Sequence, residues 1–483
     1  MQVEYDLVIV GGSYTARYGA GLASQQGARV ALVERSSVQR QPFPLEAINQ
    51  KQGWLLQGSQ SSQTSQAYPK DLITLLSQYQ ALAKLLPEEL SLRGLRSLGV
   101  DVIVGQGEFQ RLEPGSRRTQ NPQKIGFRVG QRLLRSHHYL LAPELVPMLP
   151  EIPGLQSVDY LTVADLMAAD LGRNNSESLE QLKKQLAAQS WLVMGNPYQG
   201  AEISQILQQC GKTVTLISPK VQLLPQEEPI ANYLIQGQLE AQGIRLITNS
   251  PVKLIRQIDG QQWVQAGDRA IEAEQILLCS QQVPSTQNLN LEAAGVQTTK
   301  KGIVTNQYLQ TTKARIYAYN QPFTAESAQQ IRTLLKNILI LPLFPVSSQP
   351  GKMIYTKPPL ARIGMTEREA RQKYGKRVIT LREYVKAQPL AQIQGELTGF
   401  CQLVVQPNGV ILGATVVGSQ ATELISLVTL AMRSHFRVAD LAQLPEVNGS
   451  LLQRTAAQWL DRQSKFYHLW QEVKNKLRSL DFF

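Results

Sequence analysis

Small residues near the start of the chain follow an apolar strand with the spacing of a nucleotide-binding turn. The apolar run from Val8 to Val10 leads into a turn that begins at Gly11. A second apolar run, from Val30 to Val33, ends in Glu34. This carboxylate lies about 20 residues beyond the turn, where it meets ribose hydroxyls in strand-turn-helix-strand units. The pattern predicts an adenine dinucleotide as ligand.

One position of this turn departs from the usual G-x-G-x-x-G/A pattern. Ser13 replaces the middle glycine, so a Cβ stands where the backbone approaches a pyrophosphate closely. We still expect the turn to contact a dinucleotide. The predicted contact residues are Gly11, Gly12, Ser13, Ala16 and Glu34.

The same arrangement recurs in the middle of the chain. An apolar run that starts at Trp191 leads into a turn between Gly195 and Gly200, which are the predicted nucleotide contacts of this second unit. Pro197 replaces its middle glycine, which removes an N–H donor and places a ring at the pyrophosphate position. Ser218 stands where an acid would bind ribose, which suits NADPH better than NADH. We expect this second site to be empty.

Composition and charge narrow the class of protein. The 483 residues carry a net charge of +12, which favours acidic partners or anionic ligands, but no nucleic-acid-binding motif accompanies it. The three cysteines (Cys210, Cys279, Cys401) have no redox or metal spacing and are expected in the core. No metal site is expected at His137-His138. The first strand begins almost at the N-terminus, so no signal peptide and a cytoplasmic location are expected.

Strand and helix patterns place these turns in an α/β protein. The alternation of strands and helices up to about residue 345 predicts parallel sheets with crossover helices. Asn408-Gly409 between two apolar runs predicts a hairpin, followed by a helix from Glu423 to Arg433. The apolar run from Ile338 to Val346 is too short to span a membrane and predicts a buried strand.

This order of parts resembles the pyridine nucleotide-disulfide oxidoreductase family over nearly the whole chain. Besides the two turns, the motifs that carry the resemblance are Ile152 to Leu155, Leu291 to Val296, Ala361 to Glu367 and Leu412 to Gly418. The resemblance implies two Rossmann-like dinucleotide-binding domains and an α+β dimerisation domain. It also implies FAD in the first site, NAD(P) in the second and a homodimer.

The implied domains follow the family order. They are an FAD-binding domain in two parts (1–158 and 275–345), a nested NAD(P)-binding-like domain (159–274) and a dimerisation domain (346–455). Residues 456–483 extend beyond the family pattern as a basic amphipathic helix. This tail is expected either to dock on the dimer or to bind an anionic membrane surface or an acidic partner.

The family's reactive motifs are missing from the matching positions. No C-x4-C pair follows Glu34, so thiol-disulfide exchange has no sulfurs. Asn448 and Gln453 replace the His and Glu of the H-P-T-x-x-E motif, so no catalytic base remains and no catalytic residue is predicted. Gln321 replaces the aspartate that holds the flavin ribityl chain and is the predicted contact there. Glu202, which would lie beside a nicotinamide, is predicted to be a solvated helix residue.

Two functional hypotheses follow. The chain is either an FAD-dependent oxidoreductase that passes electrons directly to a small acceptor such as a quinone, or a catalytically inactive pseudoenzyme. In the second case the dimeric fold serves binding or scaffolding. The sequence leaves this choice open.

Overall fold

The computed structural model describes residues 3–35, 71–83, 88–111, 125–168, 177–321, 327–346, 351–444 and 450–463. Residues 464–483 of the tail lie outside these ranges. No helix in the described ranges is long and apolar enough to cross a membrane.

The first Rossmann-like unit begins the chain. Its elements are β1 (Tyr5–Val10), α1 (Tyr14–Gln25), β2 (Val30–Glu34), α2 (Leu72–Ala83), α3 (Leu92–Ser97), β3 (Asp101–Val104), β4 (Gly107–Arg111), β5 (Ile125–Val129), β6 (Arg132–Leu134), β7 (Ser136–Leu141) and β8 (Leu145–Pro147). Strands β1, β2, β3 and β7 pair in parallel in the order β7-β1-β2-β3. The carboxyl ends of β1 and β2 therefore meet at one edge, which is where ligands bind in such sheets.

The second Rossmann-like unit is inserted after the first. Its elements are β9 (Tyr160–Thr162), α4 (Val163–Ala168), α5 (Glu177–Ala187), β10 (Ser190–Gly195), α6 (Pro197–Gln209), β11 (Thr213–Ile217), α7 (Pro229–Ala241), β12 (Arg245–Ile247), β13 (Val252–Ile258), β14 (Gln261–Ala266), β15 (Arg269–Ala273) and β16 (Gln275–Cys279). The parallel sheet has the order β12-β11-β10-β16-β9, and β13 to β15 form a separate antiparallel sheet. The apolar side chains of the two sheets share one core.

The chain then returns to the first unit. The returning elements are β17 (Gln282–Pro284), β18 (Thr298–Thr299), β19 (Gly302–Ile303), β20 (Ile316–Ala318) and α8 (Ser327–Leu339). Strand β20 pairs in parallel with β7 and completes a five-stranded sheet. Helices α1 and α8 pack together on one face of it, because small residues of α1 such as Ala16 and Ala20 admit Ile331 of α8 into the same core.

The C-terminal domain is built on an antiparallel sheet. Its elements are β21 (Lys352–Ile354), β22 (Leu360–Gly364), α9 (Glu367–Tyr374), β23 (Ile379–Tyr384), α10 (Pro389–Gln394), β24 (Phe400–Val405), β25 (Ile411–Val417), α11 (Ala421–Arg433) and α12 (Val438–Ala442). The strand order is β21-β22-β25-β24-β23, with α11 packed against the sheet. A further helix begins at residue 451 and continues to residue 463, the last described residue.

The structure confirms the α/β class, the two Rossmann-like units, the hairpin at Asn408-Gly409 and the helix that follows it. The strand predicted for Ile338 to Val346 is wrong. Helix α8 continues to Leu339, and Ile340 and Leu343 beyond it are 70% and 64% exposed. Apolar composition alone predicted burial there, but prolines at 342 and 345 interrupt the run, since each lacks the N–H that a sheet ladder needs. The exact domain boundaries stay a prediction.

Candidate nucleotide sites

The first turn is held by a close contact between two strands. Gly11 has φ +136°, and a Cβ at this position would lie 2.0 Å from the carbonyl oxygen of Ala142 at the end of β7. Only glycine fits here, since a side chain would meet backbone. The strand-to-helix turn predicted at Gly11 and Gly12 is therefore present.

Ser13 closes this turn with its own side chain. It is the N-cap of α1, and its Oγ accepts a hydrogen bond from the backbone N–H of Ala16 at 3.1 Å. The same hydroxyl donates to the carbonyl oxygen of Ala142 at 2.9 Å. The backbone N–H groups at the N-terminus of α1, which would face a pyrophosphate, thus already have part of their hydrogen bonds within the chain. The predicted contacts Ser13 and Ala16 contact each other in this structure.

Glu34 is paired with a side chain of α1. The guanidinium of Arg17 donates from Nε to Oε2 at 2.8 Å and from Nη2 to Oε1 at 2.9 Å. The Glu34 side chain is completely buried, and that of Arg17 is 16% exposed. Burial raises the pKa of Glu34, and the neighbouring guanidinium opposes this shift only in part. Arg17 engages both carboxylate oxygens and the side chain has no solvent exposure, so a ribose hydroxyl does not reach Glu34 in this conformation.

The cavity next to the first turn is too small for an adenosine. A cavity of about 30 Å³ lies at the carboxyl edge of β1 and β2, bounded by Gly11, Arg35, Gly105 and Asn288. Such a volume holds one or two water molecules. The Arg17–Glu34 pair and the small size of this cavity both oppose binding of FAD in the described conformation.

The residues at the predicted ribityl position include one exposed side chain and one polar atom without a described partner. Gln321 lies just after β20 and is exposed. The neighbouring Asn320 donates from Nδ2 to the carbonyl oxygen of Ile303 at 2.7 Å. Its Oδ1 is buried and has no hydrogen-bond partner among the described residues. An acceptor is therefore available beside the position where the family has aspartate.

The second turn offers no backbone donors to a pyrophosphate. Asn196 is the N-cap of α6, and its Oδ1 accepts from the N–H groups of Tyr198 at 3.0 Å and Gln199 at 3.4 Å. The N–H of Gly200 donates to the Asn196 carbonyl, and that of Asn196 donates to the Cys279 carbonyl. Pro197 has no N–H. Every N–H from Asn196 to Gly200 is thus absent or used within the chain.

Both glycines predicted as contacts in this turn have structural roles. A Cβ at Gly195, which has φ +118°, would lie 2.1 Å from the carbonyl oxygen of Cys279, and one at Gly200 would lie 3.0 Å from Leu216. Gly195 allows β10 to pack closely against the end of β16, and Gly200 allows α6 to pack closely against β11. The turn keeps the shape of a Rossmann unit without its donors.

A large cleft lies beyond this second turn. Its volume is about 750 Å³, and it opens at the carboxyl ends of β10, β11 and β16. Ser218 is buried in its wall, and Lys220 lies exposed at its rim. The larger space thus lies at the second site, which was expected to be empty, and not at the first, where FAD was expected.

The prediction for Glu202 is wrong. Its side chain is buried in α6, and Oε1 accepts a hydrogen bond from the backbone N–H of Tyr355 at 2.8 Å. Helical periodicity alone suggested a solvated position, but the C-terminal domain covers this face of the helix. Glu202 therefore joins two domains.

A second buried carboxylate was missed by sequence reasoning. Glu227 is fully buried and accepts from Arg362 Nε at 2.6 Å and from the Tyr198 hydroxyl at 2.9 Å. The ammonium of Lys352 lies 3.8 Å from the same carboxylate. Burial, followed by the charge of Glu227, raises the pKa of Tyr198 above its ordinary range. The adjacent acids Glu227-Glu228 were the only available signal, and the charged partners of Glu227 lie in another domain.

None of the three thiols is placed for redox chemistry. Cys210, Cys279 and Cys401 are all described, all buried and all free. Burial raises the pKa of Cys210 to about 11 and that of Cys401 to about 12, and it raises the pKa of Cys279 as well. The thiolate is the reactive form, so these cysteines are inert core residues, as predicted.

No metal site replaces the missing sulfurs in the described ranges. Gln453 donates from Nε2 to the carbonyl oxygen of Ala442 at 3.2 Å, while Asn448 lies outside the described residues. His138 lies in β7, and no group of three or more His, Cys, Asp or Glu side chains within the described ranges is placed to hold a metal.

The first part of the C-terminal tail is docked. Gln458 donates from Nε2 to the carbonyl oxygen of Arg382 at 2.7 Å and to Glu383 at 2.9 Å. Trp459 packs against the core of the C-terminal domain. Whether residues beyond 463 bind a membrane or a partner stays a prediction.

Comparisons with known proteins agree with this architecture. The profile of the pyridine nucleotide-disulphide oxidoreductases matches residues 5–320, and that of their dimerisation domain matches residues 351–447. The chain belongs to the pyridine nucleotide-disulphide oxidoreductase family. It is 30% identical over 462 residues to a mercuric reductase from Staphylococcus aureus, covering 91% of this chain and 79% of that protein. The present chain, in contrast to the name of the family, has no cysteine pair.

Solved structures show the same fold. The HOCl-induced flavoprotein disulfide reductase RclA from Escherichia coli, as a Cu(II) complex, superposes with a TM-score of 0.76 at 21% identity over 95% of this chain and 99% of its own. LpdA from Mycobacterium tuberculosis superposes with a TM-score of 0.76 at 20% identity, over 94% of this chain and 99% of its own. At such identities the likeness concerns the fold alone.

Proposed function

We propose that the protein is a non-redox member of its family, a homodimeric binding protein that works without flavin or nicotinamide turnover. The observation that carries this proposal is the buried Arg17–Glu34 pair, which occupies the carboxylate that would otherwise hold the FAD ribose. The blocked donors of the second turn remove the hydride source as well. The absence of reactive thiols removes the electron acceptor of the family reaction.

Assembly as a homodimer fits this role. Helix α11 and the segment after it expose large apolar side chains, among them Leu427, Leu430 and Phe436 at 48%, 59% and 52%. They lie in the domain that matches the family's dimerisation domain. A second copy of the chain is the natural partner for such a surface.

The test is whether the protein holds flavin. We expect the purified wild-type dimer to be colourless and to bind added FAD weakly in a fluorescence titration. Arg17→Ala frees the Glu34 carboxylate, so its FAD affinity is expected to rise by about tenfold or more, the equivalent of one charge-assisted hydrogen bond. Arg29→Ala, which breaks the exposed pair with Asp6, is the matched control and should not change FAD binding.

Stoichiometric FAD in the wild-type protein would refute the proposal. Failure of Arg17→Ala to bind more FAD than the wild type would show that this pair is not what closes the site. Thermal melting of each variant with and without FAD separates loss of folding from loss of binding.

A second candidate is an FAD-dependent oxidoreductase without dithiol chemistry. The unpartnered Oδ1 of Asn320 favours it, because a buried acceptor beside the ribityl position calls for a donor such as a ribityl hydroxyl. When bound, FAD would supply electron transfer to a small acceptor. This candidate predicts a yellow wild-type protein and weaker flavin retention in Asn320→Leu, with Asn306→Leu on an exposed loop as control.

A further inference from the structure

The cleft of the second Rossmann-like unit is large enough for a small molecule, although the turn beside it has no free backbone donors for a phosphate. Its volume of about 750 Å³ falls in the range of about 300 to 1,000 Å³ that is typical of small-molecule sites. The donors that would hold a pyrophosphate are absent or used between Asn196 and Gly200. A ligand of this cleft must therefore be recognised by its remaining walls.

These walls are mainly apolar. The apolar side chains that face the cleft are Met148, Ile152, Met194, Ile217, Val252 and Leu278. The rest of the described lining consists of prolines, glycine, tyrosine, cysteine, uncharged polar residues and one lysine, Lys220, and it contains no aspartate, glutamate or arginine. Burial of apolar ligand surface is thus the main source of affinity available here.

One cation marks the rim of the cleft. The Lys220 backbone is held from both sides: its N–H donates to Ser218 Oγ at 3.2 Å, and its carbonyl accepts from the N–H of Asn249 at 2.8 Å. The Lys220 ammonium forms no ion pair with any described residue. A single positive charge beside apolar walls is complementary to a ligand with a single acidic group.

We propose that this cleft binds a mainly apolar molecule carrying one acidic group, such as an aromatic carboxylate or sulfonate, whose acid meets Lys220. The inference rests on the proposed function in one respect: the site is taken to serve binding and not hydride transfer. Apolar walls from β10, β11 and β16 hold the body of the ligand, and Lys220 orients it. A dinucleotide is excluded by the donors already used in the turn.

A pair of dyes with the same rings tests this directly. Anilinonaphthalene sulfonate carries one anionic group, and N-phenyl-1-naphthylamine is its uncharged counterpart. In fluorescence titrations of the full-length protein, we expect saturable binding of both. Lys220→Gln should weaken binding of the sulfonate about tenfold and leave that of the neutral dye within about twofold, as expected for loss of one charged contact.

Two further variants control for charge and for fold. Lys253→Gln removes a nearby charge that is 54% exposed, pairs with Asp268 and lies outside the cleft, so it should change neither dye. Met148→Glu places a carboxylate at an exposed position of the lining and should weaken the sulfonate selectively. Thermal melting confirms that the variants fold.

Several outcomes would overturn the inference. These are no saturable binding of the sulfonate, equal effects of Lys220→Gln and Lys253→Gln, or equal loss of both dyes in Lys220→Gln. Displacement of the sulfonate by NADPH at micromolar concentrations would show that the cleft is a dinucleotide site. Bound flavin in the purified protein would refute the proposed function, but the dye titration could still be carried out and interpreted. A colourless protein without the expected dye binding would refute only the proposed ligand class.

Discussion

Arg17→Ala should destabilise the N-terminal domain strongly at neutral pH. The substitution leaves the Glu34 carboxylate without its bidentate partner in a position that has no solvent exposure. Removing one partner of a buried ion pair costs about 3 to 5 kcal/mol. Because the Arg17 side chain is 16% exposed, we expect the lower end, about 3 kcal/mol. For a domain of this size, that corresponds to a fall of roughly 6 to 12 °C in melting temperature.

The loss of stability caused by Arg17→Ala should become smaller as the pH is lowered. The pKa of Glu34 is already raised by burial in the wild type, and it rises further when the guanidinium is gone. A carboxyl group with a raised folded-state pKa takes up a proton on folding, so its contribution to stability falls as pH rises through that pKa. Lowering the pH should therefore rescue Arg17→Ala, by up to about 1.4 kcal/mol per pH unit between the raised pKa and the unfolded value of about 4.3.

Melting curves at about pH 7.5, 6 and 5, which span the expected titration range of the Glu34 carboxyl group, measure this effect. The double variant Arg17→Ala, Glu34→Gln removes both charges and should recover much of the loss at neutral pH without the pH dependence. Arg29→Ala, at an exposed pair, should cost no more than about 1 kcal/mol at any pH. Equal destabilisation by Arg17→Ala at all three pH values would refute the assignment of a buried, coupled Glu34.

Three other predictions concern the thiols, the domain contact and the dimer. None of the three cysteines should react with a chromogenic disulfide reagent in the native protein, whereas all three should react in denaturant; rapid native labelling would contradict their burial. Arg362→Met should cost about 3 kcal/mol because it removes the closest cation from the buried Glu227 and leaves only Lys352, 3.8 Å away, to balance its charge. Arg371→Met, at an exposed helical pair, should cost under about 0.5 kcal/mol in the same melts. Leu430→Glu should convert the dimer to a monomer in light scattering, and an unchanged mass would place the interface elsewhere.

The sequence predicted the local structure around each turn because the relevant signals are local. Glycine at position 11 and the two flanking apolar runs are enough to specify a strand, a tight turn and a helix. The Asn408-Gly409 hairpin likewise depends on a few adjacent residues. The missing sulfurs could also be read directly, since chemistry that needs two cysteines cannot occur without them.

The contents of the sites could not be predicted in this way. Arg17 meets Glu34 because α1 packs over β2, and the sequence does not give the orientation of a helix about its own axis precisely enough to show it. Glu202 is buried by Tyr355, which comes from a domain far along the chain. Burial and ion pairing are tertiary properties, and propensity or periodicity predicts only the local framework that carries them.

The two turns have diverged in the same physical direction. In each, a residue with a short polar side chain, Ser13 or Asn196, serves as the N-cap of the helix that would otherwise face a phosphate. Such a cap contributes about 1 kcal/mol to helix stability by satisfying N–H groups that a ligand would otherwise satisfy. A bound phosphate would have to displace this side chain and gains correspondingly less. The turns are thus stable without a cofactor, which makes the cofactor-free dimer the form in which we expect this protein to act.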